Sequence, residues 1–316
     1  MKFRFSLGIC VVNFAFFALG GAPASAVTLD LSGWMGLRLD DSTPSHFRVN
    51  LEEIDIAACG LSALMAFYSC RLAWQSRAFH DISTGNDATP LWIPQLSMAV
   101  GGVGEDLMGE WVLRRLTDFG VDISGMQRIK GGRTSSSIVT TRPDGARPAL
   151  HLRGATADFY VDDALMEKVV DAKVVHIGGV GLMDRMDNSG RNGDLLKRAK
   201  AKGATTTVDV FAGSPDDMGD VAGVLPHTDY FMPSIEEARA LTGLTDAGDV
   251  ARTFLDLGVN CCVLTLGADG AYYHHRDGTR FTVPAYQIKV RCTCGCGDAF
   301  NAGFAVGRVK GFDPET

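Results

Sequence analysis

The stretch Cys292-Thr293-Cys294-Gly295-Cys296-Gly297-Asp298-Ala299-Phe300-Asn301-Ala302-Gly303 decides how the rest of the chain is read. A β-rich segment, 281–290, leads into it. The small and apolar residues Ala299, Phe300, Ala302, Gly303, Phe304 and Val306 predict a helix after it. Gly295 and Gly297 allow the backbone to bend tightly just before that helix. The first amides of a helix have no acceptor within it, and the helix dipole makes that end partly positive. Gly-x-Gly-Asp at such a point predicts an anion hole, built from the amides of Gly295, Cys296 and Gly297, with the carboxylate of Asp298 beside it. Amides that hold phosphate oxygens, and an Asp that takes the proton of an attacking alcohol, suit phosphoryl transfer to a hydroxyl. The same four residues taken alone also fit a plain strand-to-helix turn with Asp298 as a first-turn cap.

Working outward, Cys261-Cys262-Val263-Leu264-Thr265-Leu266-Gly267 reads as a buried strand entering a Thr-x-Gly-x-x-Gly turn that ends at Gly270. Residues 249–257 predict a helix stopped by Gly258. Residues 228–232 predict a strand, after which Ser234 and Glu237 form a capping box at a helix start. The strand 205–210 carries Asp209 near its C-terminal end, the side on which open α/β sheets bind ligands. Residues 164–170 and 194–201 predict helices, and 173–179 a buried strand whose His176 reads as a hydrogen-bonded core residue. Residues 134–141 and 148–153, joined by Arg142-Pro143-Asp144-Gly145, predict a hairpin. Its Arg147 and Arg153 suit contact with a sugar acid, or equally a solvated strand face. Residues 96–103 predict a strand, and the spacing of Leu107, Met108, Trp111, Val112, Leu116 and Phe119 a helix ended by Gly120. Strands alternating with helices predict an α/β fold: a three-layer, mainly parallel sheet flanked by helices, with the small β hairpin as a lid remnant.

These segments resemble the ribokinase/PfkB family of sugar and nucleoside kinases. Its C-terminal signature usually reads Asp-Thr-Thr-Gly-Ala-Gly-Asp-x-Phe. Here Cys292, Cys294 and Cys296 replace the first Asp, the second Thr and the Ala, while Gly295, Gly297 and Asp298 are kept. Val103-Gly104-Glu105-Asp106-Leu107-Met108-Gly109 and Phe119-Gly120-Val121-Asp122 are similar to further family motifs, and capping and close packing account for their glycines. The resemblance implies ATP and Mg²⁺ as cofactors, with a monovalent cation such as K⁺ admitted, and a small-molecule sugar or related alcohol as acceptor. It implies Asp298 as general base, with Thr265, Gly267 and Gly270 lining the nucleotide. Arg147 would lie near the sugar, in a Gly-x-Arg match. The family's Asn-x-x-Glu, which organises magnesium and phosphate, is matched by Ser234 and Glu237, although the capping box explains both residues without metal. A homodimer is compatible with the family.

The chain has 316 residues, 46% hydrophobic and 21% charged, with net charge -7. That is ordinary globular composition, and the absence of a basic block argues against nucleic acid as a partner. None of the 8 cysteines has paired Cys-x-x-Cys spacing. Residues 1–26 carry a short basic start, an apolar run at 5–19 and Ala24-Ser25-Ala26, the layout of a secretory signal peptide and too short for a membrane span. Residues 1–95 match no family element, so the domain organisation expected is an unmatched N-terminal segment followed by an incomplete kinase domain at 96–316. Cytoplasmic location, where ATP is plentiful, competes with export. A sugar kinase competes with a truncated, catalytically inactive relic or an exported ligand-binding protein on the same scaffold.

Overall fold

The computed structural model describes residues 97–140, 149–287, 295–309 and 311–314, with three short strands before them, β1 (Leu7–Cys10), β2 (Val27–Leu29) and β3 (Phe47–Val49). The remainder of the signal-peptide-like segment and of residues 1–95 lies outside the described residues.

The first unit is parallel. β4 (Met98–Gly104) pairs with β5 (Asp122–Ile129) across α1 (Leu107–Asp118), and Val103, Val112, Leu113, Leu116 and Val121 pack between them. Close approach explains Gly102, Gly104, Gly109 and Gly125 of this unit. A Cβ on Gly109 would lie 2.3 Å from the carbonyl oxygen of Gly104. Asp106 caps α1 by accepting from Gly109 N at 2.8 Å, and the same carboxylate accepts from Thr134 N and Thr134 Oγ1 at 2.7 and 2.6 Å. The motif that opens α1 is thus consumed by capping and by tying α1 to the strand that follows. That strand, β6 (Ser136–Thr140), pairs antiparallel with β7 (Ala149–Leu152) and on its other edge with β1, so the expected hairpin is present.

The main sheet has six strands in the order β13-β12-β11-β10-β9-β8. The strands β8 (Val174–Val180), β9 (Thr205–Val210), β10 (Tyr230–Phe231) and β11 (Cys261–Thr265) are parallel. β12 (Ala271–His275) and β13 (Arg280–Val283) continue it antiparallel. Between β7 and β10 lie α2 (Ala155–Asp158), α3 (Asp163–Val169), α4 (Asp184–Asn188), α5 (Arg191–Ala201) and α6 (Met218–Ala222). α7 (Ile235–Thr242) and α8 (Ala247–Asp256) join β10 to β11, and α9 (Cys296–Val309) follows β13.

Strand side chains alternate between faces, and the two faces have different partners. Phe231, Cys262 and Leu264 belong to the core formed with Leu196 of α5, Ala238 of α7 and Phe254 of α8. The next residues in register, Met232, Cys261 and Val263, face Phe300 and Phe304 of α9. The sheet is therefore covered on both sides, as three layers require. Phe231 and Phe254 are fully buried, with ring centroids 4.7 Å apart, and they lock α8 onto the centre of the sheet.

Two expectations change. Within the β-rich run, β13 ends at Val283, before Pro284, which has no N–H for the ladder, and residues 288–290 lie outside the described residues. α9 also begins earlier than expected. Gly295 makes the bend alone, at φ 75°, and its carbonyl accepts from Ala299 N at 2.9 Å to close the first turn. Gly297 therefore sits within that turn rather than before it.

The turn between β11 and β12 supplies a test of the backbone. Gly270 has φ 97°, and a Cβ there would lie 1.9 Å from the Val283 carbonyl oxygen, whereas Gly267 has φ 61° and open space around it. Gly270→Ala should therefore cost roughly 3 kcal/mol or more, combining a clash with a disfavoured φ, and Gly267→Ala about 1–2 kcal/mol from the φ alone. Urea unfolding midpoints of the two variants should separate in that order; equal losses would contradict the packing of this turn.

Candidate active site

The C-terminal ends of the parallel strands carry the chemistry. Asp209 is the penultimate residue of β9, Ser234 and Glu237 open α7 just past β10, and Thr265 is the last residue of β11. Because these strands are neighbours, the residues lie along one edge of the sheet. Thr265 bridges in parallel to Ser234, and Thr265 N donates to the Pro233 carbonyl at 3.2 Å. The start of the Thr265–Gly270 turn and the start of α7 are thereby joined.

The capping box at α7 is formed as expected. Ser234 Oγ accepts from Glu237 N at 3.3 Å, and Glu237 Oε2 accepts from Ser234 N at 3.0 Å and from Ser234 Oγ at 2.6 Å. This fixes the Glu237 carboxylate towards the interior rather than letting it swing into solvent. Burial raises its proton affinity above the ordinary glutamate value, and the two Ser234 donors oppose that rise.

α9 delivers Asp298 to the same place. Asp298 stands in the first turn, where Gly297 and Asp298 present helix N-terminal amides towards the end of the helix. Burial, and then the neighbouring charge of Glu237, push its carboxyl up to about 7. Asp209 is raised well above the aspartate range by burial, by Glu237 and by Asp298, while Val210 N and Asn301 donate to it at 2.8 and 2.9 Å. The charges of the three carboxylates from β9, α7 and α9 thus act on one another at this end of the sheet, which disfavours joint ionisation.

Of the residues singled out in the sequence, Asp298 and Glu237 come together, and the helix start carrying Cys296 and Gly297 comes with them. Thr265 lies beside Ser234. Gly267 and Gly270 form the β11–β12 hairpin turn, at the same end of the sheet. Arg147 lies outside the described residues, as do Cys292 and Cys294. Arg153 forms an exposed ion pair with Asp184, consistent with a solvated strand charge. His176 is partly buried, with Nδ1 2.8 Å from Thr207 Oγ1, and burial lowers its imidazole to about 4, so it is neutral and held in the sheet.

Two residues gain weight that the sequence reading did not assign. Asp209 was noticed only by its place in a strand. Asn301 has one local signal, its spacing of three from Asp298, which puts both on one helix face. Among the described residues no group of three His, Cys, Asp or Glu is arranged to hold a metal ion directly, and no helix is long and apolar enough to cross a membrane.

Residues 95–316 match the model of the pfkB family carbohydrate kinase. Fructokinase-1 of Oryza sativa subsp. japonica is 29% identical over 210 residues, which cover 64% of this chain and 64% of that enzyme. The chain thus spans a little under two-thirds of the length of that relative. Among solved structures, the Arabidopsis thaliana ribokinase complexed with ribose and ATP superposes with a TM-score of 0.64 at 19% identity, covering 99% of this chain and 86% of that one. A ribokinase II from E. coli in complex with ATP and Mg²⁺ gives a TM-score of 0.64 at 20% identity over 99% and 86% of the two chains. These likenesses show a ribokinase-like α/β fold. With the carboxylate-lined sheet edge and the Gly-x-Gly-Asp helix start in place, and the family match running over most of its length, the chain belongs to the pfkB family of carbohydrate kinases.

Proposed function

We propose that this protein is an ATP-dependent phosphotransferase acting on a hydroxyl of a sugar or sugar-like small molecule, with residues 96–316 as the catalytic unit. The observation that carries this reading is the environment of Asp298, a carboxyl raised to about 7 in the first turn of a helix. A base whose proton affinity lies near neutrality takes a proton from an alcohol more readily than an ordinary carboxylate does. Amides at the same helix start are suited to the charge on a transferring phosphoryl group.

In this mechanism ATP occupies the end of the sheet near the Thr265–Gly270 turn, with its γ-phosphate at the amides of Gly295, Cys296 and Gly297. Asp298 accepts the proton of the acceptor hydroxyl as the oxygen attacks the γ-phosphorus; the bond from that phosphorus to the β,γ-bridging oxygen breaks, and ADP leaves with the electron pair. The proton remains on the Asp298 carboxyl until product leaves. Mg²⁺, when bound, neutralises phosphate charge. The donor set fits a contact through water rather than direct ligation, because the carboxylates are not grouped as ligands and Glu237 Oε2 is held by Ser234. Glu237 Oε1 would accept from a metal-bound water. Arg147 and the β6–β7 hairpin would approach the sugar. Relatives named for fructose and ribose support the acceptor class, and use of ATP as donor would fit a cytoplasmic protein. The exposed Leu150 and Leu152 on β7 offer a surface for pairing of two copies.

Asp298→Asn removes the base and should lower kcat on the order of 10²–10⁴-fold while the melting temperature is kept; unchanged turnover would remove Asp298 from the mechanism. The pH dependence has a defined sign. Asp298 must be ionised to accept a proton, so kcat/KM should rise with pH through a limb near 7 and fall below it; a limb near the ordinary aspartate value would count against the assigned base.

A binding test needs no sugar. ATP with Mg²⁺ at 100 times its Kd should stabilise the folded chain by about 2.7 kcal/mol and raise Tm by about 5–10 °C, with K⁺ and Na⁺ buffers compared in parallel. No shift at millimolar ATP would favour a non-catalytic product of the same fold.

A further inference from the structure

We propose that Asn301 is a positioning residue: with Asp209 it forms a buried clamp that ties the first turns of α9 to the end of β9 and so holds Asp298 at the crevice. The inference rests on the reading of Asp298 as the base.

Asn301 is 3% exposed, one helical turn after Asp298. Its Nδ2 donates to Asp209 Oδ2 at 2.9 Å, across 92 residues of chain. Asp209 Oδ1 accepts from Val210 N at 2.8 Å, so this carboxylate is held from the strand by one oxygen and from the helix by the other. The amide of Asn301 is oriented by that bond, and its Oδ1 is buried without a hydrogen-bond partner among the described residues. A residue serving only to fill space would be apolar here, because an unsatisfied buried amide oxygen opposes folding. A polar side chain at this buried position points to use of the Nδ2 donor.

The rest of the helix is held elsewhere. Phe300 and Phe304 pack on the side of β10, β11 and β12, and Tyr230 meets the Phe304 ring at 4.8 Å. Those contacts fix the body of α9 against one half of the sheet. Asn301 holds the opposite side, against β9. Without it the start of the helix can pivot about its aromatic contacts, and Asp298 sits at that start. A displacement near 1 Å at a reacting group is enough to cost on the order of 10²-fold in rate. The clamp also keeps Asp209 beside Asp298 and Glu237, the two carboxylates that face it.

The test compares full-length wild-type chain with Asn301→Ala, Asp209→Asn and the exchange variant D209N/N301D. Hydrogen exchange of the amides at 299–302, the first that are bonded within α9, is read for each, and steady-state kinetics for the first two. N301A should lower kcat about 10–100-fold, leave the KM for ATP within about threefold, and speed exchange at 299–302 about tenfold with the β8 amides unchanged. D209N keeps an acceptor oxygen for Asn301 and should retain most of the protection. D209N/N301D restores a donor facing an acceptor and should recover the protection lost in N301A. Unchanged exchange and kcat in N301A would overturn the clamp, and so would a loss of protection spread evenly over the whole sheet. If the wild-type chain phosphorylates no sugar, the kinase reading fails while the exchange data still decide the clamp.

Discussion

Asp209, Glu237 and Asp298 are brought face to face where the parallel strands end, and most of the local structure follows from making that arrangement tolerable. Taking carboxylates out of water disfavours their charged forms, and placing them together adds mutual repulsion. The protein answers with fixed donors. Ser234 supplies two to Glu237, and Val210 N and Asn301 supply one each to Asp209. Asp298 is left with the first turn of α9 as its surroundings, which is where an incoming phosphate would also be held.

This arrangement depends on the layers around it. β9, β10 and β11 run parallel and adjacent, so residues at their ends fall in one row without long loops to place them. α7 and α8 press on one face through Ala238 and Phe254, and α9 covers the other through Phe300 and Phe304. The register between Cys261-Cys262-Val263-Leu264 and its neighbours decides which side chain meets which layer. A slip of one residue would exchange the two faces and carry Asp209 away from α9.

Much of this was legible in the residues themselves. The strands 205–210 and 261–265, the α7 capping box and the Gly120 stop follow from local chemistry, and each is present. The Gly-x-Gly-Asp word locates Asp298 because a glycine bend into a helix start has a local signature. The partnership of Asn301 with Asp209 has none, since the two are 92 residues apart and meet only once the sheet has formed. The start of α9 was misjudged by one glycine, because two glycines offer the same freedom and only the packed backbone shows which one takes the left-handed turn. The final strand stops at Val283 because Pro284 has no N–H to extend the hydrogen-bond ladder, whatever the β propensity of the residues after it.

In the proposed mechanism, burial together with the Glu237 charge tunes Asp298 for proton transfer. The most direct measurement is the ¹³C NMR titration of the Asp298 side-chain carboxyl in the wild-type chain and in Glu237→Gln. The account predicts a midpoint near 7 in the wild type and a lower midpoint once the Glu237 charge is gone. A midpoint at the ordinary aspartate value of 3.8, unmoved by the substitution, would contradict it.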